Sequence, residues 1–168
     1  PWLKDKNGNE TSEAAYYLST NRGKHSLTVD ISEPEGCALI HELAEISDIF
    51  IENFKTGGLS KKGLGYEQIK QTKEDIIYCS ITGFGQDGPL ANNAGYDYLI
   101  QAMGGLMSIT GVADGEPGAG PQRVGVAVGD LTTGMYAVIA IQAALHHRNM
   151  TGQGQHIDMA LLDSQVSW

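Results

Sequence analysis

Two observations predict an α/β fold in which a parallel sheet is flanked by helices. From Leu27 to Ile81, segments with strand character alternate with segments of helical period. That order builds parallel strands joined by right-handed crossovers. The run Ile76 to Ile81, IIYCSI, is also apolar almost throughout, as in a strand buried on both faces.

The first ten residues, PWLKDKNGNE, are polar and glycine-broken and read as an irregular lead-in. Glu13 to Leu18 suits a short helix or a strand, and Asn21 to Ser26 reads as a turn carrying Arg22 and Lys24. Leu27 to Ile31 alternates as a strand does. Ser32-Glu33-Pro34-Glu35 is predicted to start a helix. Ser32 would cap it, Glu35 would complete the S-x-x-E box, and Pro34 sits where its missing N–H costs little. Ala38, Leu39, Leu43 and Ile46 form the expected buried face of this helix, which ends near Ser47. Asp48 to Glu52 is the next strand, Asn53 to Gly58 its loop, and Leu59 to Gly65 a short basic segment broken by glycine. Tyr66 to Thr72 is a modest helix preceding the IIYCSI strand.

Gly83 to Gly88 formally matches G-x-G-x-x-G, but Pro89 and the polar pair Asn92-Asn93 follow it. With no apolar helix to receive a pyrophosphate, the dinucleotide reading is rejected. A glycine-rich loop at the carboxyl end of a strand is nonetheless where open α/β sheets place ligands. Gly95 to Tyr98 opens another helix, with Ile100, Met103 and Met107 on its buried side, and the two methionines read as core. Asp114 to Gln122 is a flexible proline- and glycine-rich loop.

The small apolar run Val124 to Val128 ends at Gly129-Asp130, where the period changes. Met135, Val138, Ile139, Ile141, Ala144 and Leu145 are spaced as in a mostly buried helix. Asp130 stands at its start. As an N-cap it would accept a hydrogen bond from a free N–H of the first turn. As a nucleophile it would attack an activated acyl group while ionised and partly stripped of water. A helix N-terminus favours the anion in either role. His146 and His147 suit the negative end of the helix dipole. Asn149 to Gln155 ends the helix, His156 to Ala160 is a strand, and Asp163 caps a last helix.

The chain is long enough for one domain with a core, and its glycines are dispersed, marking turns and close packing. A net charge of −9 argues against a nucleic-acid partner. Cys37 and Cys79 are far apart and outside any C-x-x-C motif, so a reduced, cytoplasmic protein is expected. No signal peptide is found, and no apolar run is read as long enough to span a bilayer, so no membrane association is expected. The chain starts at Pro1 and stops at Trp168 inside a predicted helix, and is expected to be part of a longer protein.

The histidines show no metal-ligand spacing, so no metal is expected. There is no G-x-S-x-G elbow and no Walker loop. Cys79 and Ser80 lie in an apolar strand and read as core. The remaining candidates are the carboxylates Asp97 and Asp130, each at a predicted helix start beside a glycine-rich loop, where each would also serve as an ordinary cap. Residue chemistry alone reaches no reaction.

An ordered series of motifs goes further: NRGKHSLTVD, PEG, IFIENF, GLGYEQI, IIYCSITGFGQDGP, AGYDYLIQAMGGLMSITG, VGVAVGDLTTGMYA and TGQGQHIDMALLD. Together they resemble the class III coenzyme A transferase family of CaiB–BaiF type. The resemblance implies a Rossmann-like parallel sheet with flanking helices, here a part of the family's large domain over residues 1–168. The family's opening strand and its later segments lie outside this chain.

What the resemblance implies for function is covalent catalysis with Asp130 as nucleophile, transferring coenzyme A between an acyl-CoA and a small carboxylic acid through an aspartyl intermediate. It carries coenzyme A contacts onto Val29, Asp30, Ile31 and Ser32, onto Asn53, Phe54 and Lys55, and onto Lys61, where the family often has arginine. Lysine meets a phosphate as a point charge without the bidentate fork. Tyr96 and Asp97 match the family's site-facing pair, and a homodimer is implied. The related α-methylacyl-CoA racemases carry a histidine base where this chain has Tyr96, and an unperturbed phenol pKa of about 10 suits that task poorly. A racemase-like enzyme and a non-catalytic, coenzyme A-binding fragment are the alternative expectations.

Overall fold

The computed structural model describes residues 2–168. In chain order its elements are β1 (Trp2–Lys4), β2 (Glu10–Ala14), α1 (Ala15–Thr20), α2 (Pro34–Glu45), β3 (Ile49–Glu52), a 3-10 turn (Ser60–Lys62), α3 (Tyr66–Thr72), β4 (Ile77–Thr82), α4 (Asp97–Met103), α5 (Leu106–Ile109), α6 (Val128–Thr151), β5 (Gln155–Ala160) and α7 (Leu161–Val166).

Strands β3, β4 and β5 form a parallel sheet in that spatial order, with Ile49 opposite Ile77 and Ile77 opposite Gln155. The central strand is the one whose sequence is apolar on both faces, as predicted. Ile77 and Cys79 pack beneath Ala137, Ile141 and Ala144 of α6, joined by Ile157 and Met159 of β5. On the opposite face Ile76 and Tyr78 meet Ala44 of α2, Ile69 of α3, and Leu59 and Leu64 between β3 and α3. Phe50 stacks on Tyr78 with ring centroids 4.8 Å apart. The Tyr78 hydroxyl donates to the Leu64 carbonyl at 2.9 Å, so this aromatic is buried without an unpaired oxygen. The outcome is helices on both faces of a parallel sheet, the predicted class.

Several local expectations are corrected. The lead-in is not irregular: β1 and β2 form an antiparallel hairpin with Trp2 opposite Ala14. Its polar residues are the turn, where Asp5 Oδ1 accepts the N–H groups of Asn7 and Asn9 at 2.8 and 2.9 Å. Glu13 to Leu18 straddles a junction, the strand ending at Ala14 and α1 starting at Ala15. Leu27 to Ile31 forms no strand, and Leu27 is 61 % exposed. Alternation supplies the pleat, but no neighbouring backbone among the described residues pairs with it.

Helix α2 starts at Pro34 with Glu33 as the N-cap residue and no side-chain cap. Ser32 is one position too early for the predicted box, and its N–H is taken by Asp30 Oδ1 at 2.8 Å. Gly36 permits this tight entry, since a Cβ there would run into the Asp30 carbonyl. The helix buries Ala44, with Cys37 and Ile40 packed beside it, rather than the predicted face; Leu39 and Leu43 are exposed and Ile46 is 82 % exposed. On α4 the buried side is Ile100 and Gln101, and Met103 is exposed; the helix ends there, so Met107 falls on α5, where it is half-buried.

Helix α6 begins at Val128, ahead of Asp130, and ends at Gly152 in the left-handed conformation with φ +75°. Of its predicted core positions Ile141 and Ala144 are buried and Leu145 half-buried, whereas Met135, Val138 and Ile139 are exposed. Against the sequence expectation, its 24 residues are long enough to cross a membrane and include an 18-residue window apolar enough to do so, with a mean hydropathy of 1.3. In this fold the helix lies on the sheet through Ala137, Ile141 and Ala144. Asp163 stands in the first turn of α7 without forming a side-chain cap.

Candidate active site

Because the strands are parallel and in register, Glu52, Thr82 and Ala160 end at one edge of the sheet. A cleft of about 660 Å³ opens there, outside the carboxyl ends of the strands. Five separated stretches line it: the ENFK loop after β3, the end of β4 with Gly83, the segment entering α4, the first turns of α6, and Leu161 at the start of α7.

The first four are held by local devices. Glu52 Oε2 accepts the Phe54 N–H at 2.7 Å and curls the loop back over the end of β3. Gly83 and Gly95 meet backbone to backbone, and a Cβ on either would collide with the other. This contact brings Tyr96 and Asp97 to the end of β4. Asp97 is the first residue of α4, with Tyr96 as the N-cap residue. Its carboxylate bridges two elements: Oδ1 accepts the Gly129 N–H of α6 at 2.8 Å, and Oδ2 accepts from Gln101 Nε2 at 2.7 Å.

Asp130 is therefore not the N-cap of α6. That position is Ala127, which has no side chain able to cap. Asp130 sits in the first turn and lines the cleft. Withdrawal from water raises its pKa above the usual carboxylate value, and the Asp97 carboxylate raises it further. The N-terminal end of α6 acts in the opposite sense, favouring the anion. Asp130 is nonetheless an exposed residue, so its carboxylate is open to the cleft while part of its hydration is lost.

The cleft brings together Asp130, Asn53, Phe54, Lys55, Tyr96 and Asp97. Val29, Asp30, Ile31, Ser32 and Lys61 do not line it. Lys62, not singled out from the sequence, donates to the Ile31 carbonyl at 3.2 Å and to Ser32 Oγ at 3.4 Å, tying that segment to the 3-10 turn. Arg22 and Lys24 lie in an exposed turn. Sequence reasoning also missed Glu52, the Gly83–Gly95 contact and Gln101. Only Gln101 had a visible signal: it stands four residues after Asp97, the spacing at which helix side chains meet. Among the described residues no group of His, Cys, Asp and Glu is placed to hold a metal ion.

Comparison with known proteins agrees with this architecture. The model of the family described as CoA-transferase family III matches residues 3–168. The chain is 55 % identical over 165 residues to a succinate–glutarate CoA-transferase of Agrobacterium fabrum. It is 51 % identical over 156 residues to the succinyl-CoA:glutarate CoA-transferase of Homo sapiens. These matches cover 98 % and 93 % of this chain, but 40 % and 35 % of the relatives' own lengths. A crystal structure of a CaiB/BaiF family protein from Brucella suis superposes with a TM-score of 0.88 at 51 % identity, covering 99 % of this chain and 42 % of that one. The parallel sheet, the cleft at its carboxyl edge and the match along nearly all of the sequence lead to one assignment: the chain belongs to CoA-transferase family III.

Proposed function

We propose that the protein to which this chain belongs transfers coenzyme A between an acyl-CoA and a small carboxylic acid, with Asp130 as nucleophile. The observation that carries the reading is the convergence of Asp130, Tyr96, Asp97 and the ENFK loop on one cleft from separated parts of the sequence. Asp130 attacks the thioester carbonyl and expels the coenzyme A thiolate, leaving a mixed anhydride. The thiolate attacks the aspartyl carbonyl, releasing the donor acid and leaving an aspartyl-CoA thioester. The acceptor carboxylate displaces the thiolate to form a second anhydride, and the thiolate then takes the new acyl group and frees Asp130. Each step keeps the acyl activation, provided water is excluded.

The ENFK loop is the proposed coenzyme A contact in the cleft, with Asn53 and Phe54 beside the thioester arm and Lys55 offering positive charge. Val29, Asp30, Ile31, Ser32 and Lys61 are proposed to meet more distant parts of the cofactor. The names of the relatives point to four- and five-carbon dicarboxylic acids as the substrate class. Tyr96 favours transferase over racemase, because a phenol is a weak base near neutral pH. The exposed Met135, Val138 and Ile139 of α6 support the proposed homodimer, since such apolar surface calls for a partner. Two free cysteines support a cytoplasmic setting.

The test is mass spectrometry after mixing the protein with succinyl-CoA. A coenzyme A adduct that maps to Asp130 and is discharged by hydroxylamine is expected. Asp130→Ala should lose both the adduct and transfer. Transfer that survives in Asp130→Ala would overturn the assignment.

A further inference from the structure

We propose that Gln101 is a positioning residue for Asp130: its carboxamide fixes Asp97, and Asp97 in turn fixes the backbone turn that presents the nucleophile. This inference rests on the reading of Asp130 given above, although its structural half can be tested alone.

Gln101 is 0 % exposed, unusual for a glutamine and costly unless every polar atom is used. Here each end has a partner. Oε1 accepts the Val124 N–H at 2.8 Å, while Nε2 donates to Asp97 Oδ2 at 2.7 Å and approaches the Val126 carbonyl at 3.4 Å. One side chain thus grips both the segment entering α6 and the carboxylate that caps it. Filling space would not require this residue, since methionine has similar length and no polar end.

The direction of the link follows from donors and acceptors. Helix α6 has no side-chain cap of its own, so its first N–H groups need outside acceptors. Asp97, from α4, supplies one across the packing interface by accepting the Gly129 N–H. Asp97 can present Oδ1 steadily to Gly129 only if Oδ2 is held elsewhere, and Gln101 holds it. Gly129 immediately precedes Asp130, so its peptide sets where the Asp130 side chain leaves the helix. The chain of contacts runs Gln101, Asp97, Gly129, Asp130.

The experiment reads the Gly129 amide by nuclear magnetic resonance. In the unsubstituted protein a coupling across the hydrogen bond, from Gly129 nitrogen to the Asp97 carboxyl carbon, is expected; its absence overturns the proposal. Gln101→Met removes the clamp with little change in volume. Gln101→Glu keeps an acceptor for Val124 but removes the donor to Asp97. In both, exchange of the Gly129 amide should accelerate about tenfold or more while the amide of Cys79 in β4 keeps its protection. Unchanged Gly129 exchange, or equal loss at Gly129 and Cys79, would show that Gln101 only fills the core. In the full-length enzyme the variants should lower kcat roughly ten- to a hundredfold with the KM for acyl-CoA nearly unmoved. A rise in KM with kcat unmoved instead would count against a positioning role. An unsubstituted enzyme without transfer would refute the proposed reaction, yet leave the exchange result to decide the linkage.

Discussion

Glycines 129 and 134 occupy successive turns of α6, and replacing each by alanine should change stability in opposite directions. A helical glycine replaced by alanine ordinarily gains about 0.5–1 kcal/mol, because the unfolded chain has less freedom to lose. At Gly134 no atom lies within 4 Å of the added Cβ, so that gain should appear undiminished. At Gly129 the Cβ would stand 3.1 Å from Asp97 Oδ1 and 3.5 Å from Ile100 Cγ2. The carboxylate cannot step aside freely, because it is held at 2.8 Å by the Gly129 N–H and at 2.7 Å by Gln101. A hydrogen bond to a charged group contributes about 1.5–3 kcal/mol, and losing half of it outweighs the alanine gain. The variants should therefore differ by about 1 kcal/mol, or roughly 2–4 °C in Tm for a chain of this size. Thermal unfolding followed by circular dichroism at neutral pH measures this. Equal stabilisation by Gly129→Ala and Gly134→Ala would refute the claim that Asp97 holds the first turn of α6 tightly.

Other perturbations test the packing and the electrostatics. Ile141→Ala, at a position 6 % exposed against β4, should cost about 2–5 kcal/mol by urea unfolding, whereas Met135→Ala on the open face should cost far less. His156 stacks on Tyr66 at 4.8 Å and meets Ser80 Oγ at 3.0 Å, and burial lowers its pKa. Its neutral form is thus preferred in the folded state. The corresponding stability is present above the unfolded value of about 6.5 and is lost as pH falls through it toward the folded value. Tm should fall from pH 7.5 to 5.5, and His156→Gln should flatten that dependence; an identical slope in the variant would assign it to other groups.

The layers were legible from the sequence because period and apolarity are local. Tyr66 to Thr72 is a helix with the predicted bounds, and IIYCSI is the central strand within one residue at each end. What local pattern does not contain is the identity of the neighbour. Leu39 and Leu43 mark a genuine apolar face of α2, yet the sheet packs on the side carrying Ile40 and Ala44. Leu27 to Ile31 has a strand's alternation but no ladder. The capping residues failed for a related reason: Ser32 and Asp130 have the right chemistry near the right place, but caps are set by backbone angles that composition does not encode. In the candidate site, Asp130, Tyr96 and Asp97 were visible as residues. Their convergence depends on the Gly83–Gly95 contact, which links positions that no periodicity connects.

The causes that raise the pKa of Asp130 bear directly on the proposed chemistry. Lost hydration and the charge of Asp97 both disfavour the carboxylate relative to any uncharged form. Protonation relieves both, and so does acylation, because a mixed anhydride or an aspartyl thioester carries no charge at that position. The geometry that makes the group a stronger base therefore also favours its covalent intermediates over its resting state. Removing the second charge by Asp97→Asn should lower the Asp130 pKa and slow acylation even where Asp130 remains fully ionised. The reading then requires opposite movements of two observables: the carboxyl titration midpoint shifts to lower pH, and adduct formation with succinyl-CoA slows. A lower midpoint with faster adduct formation would mean that the Asp97 charge obstructs the anionic thioester more than it activates the nucleophile, and the activation argument would fall.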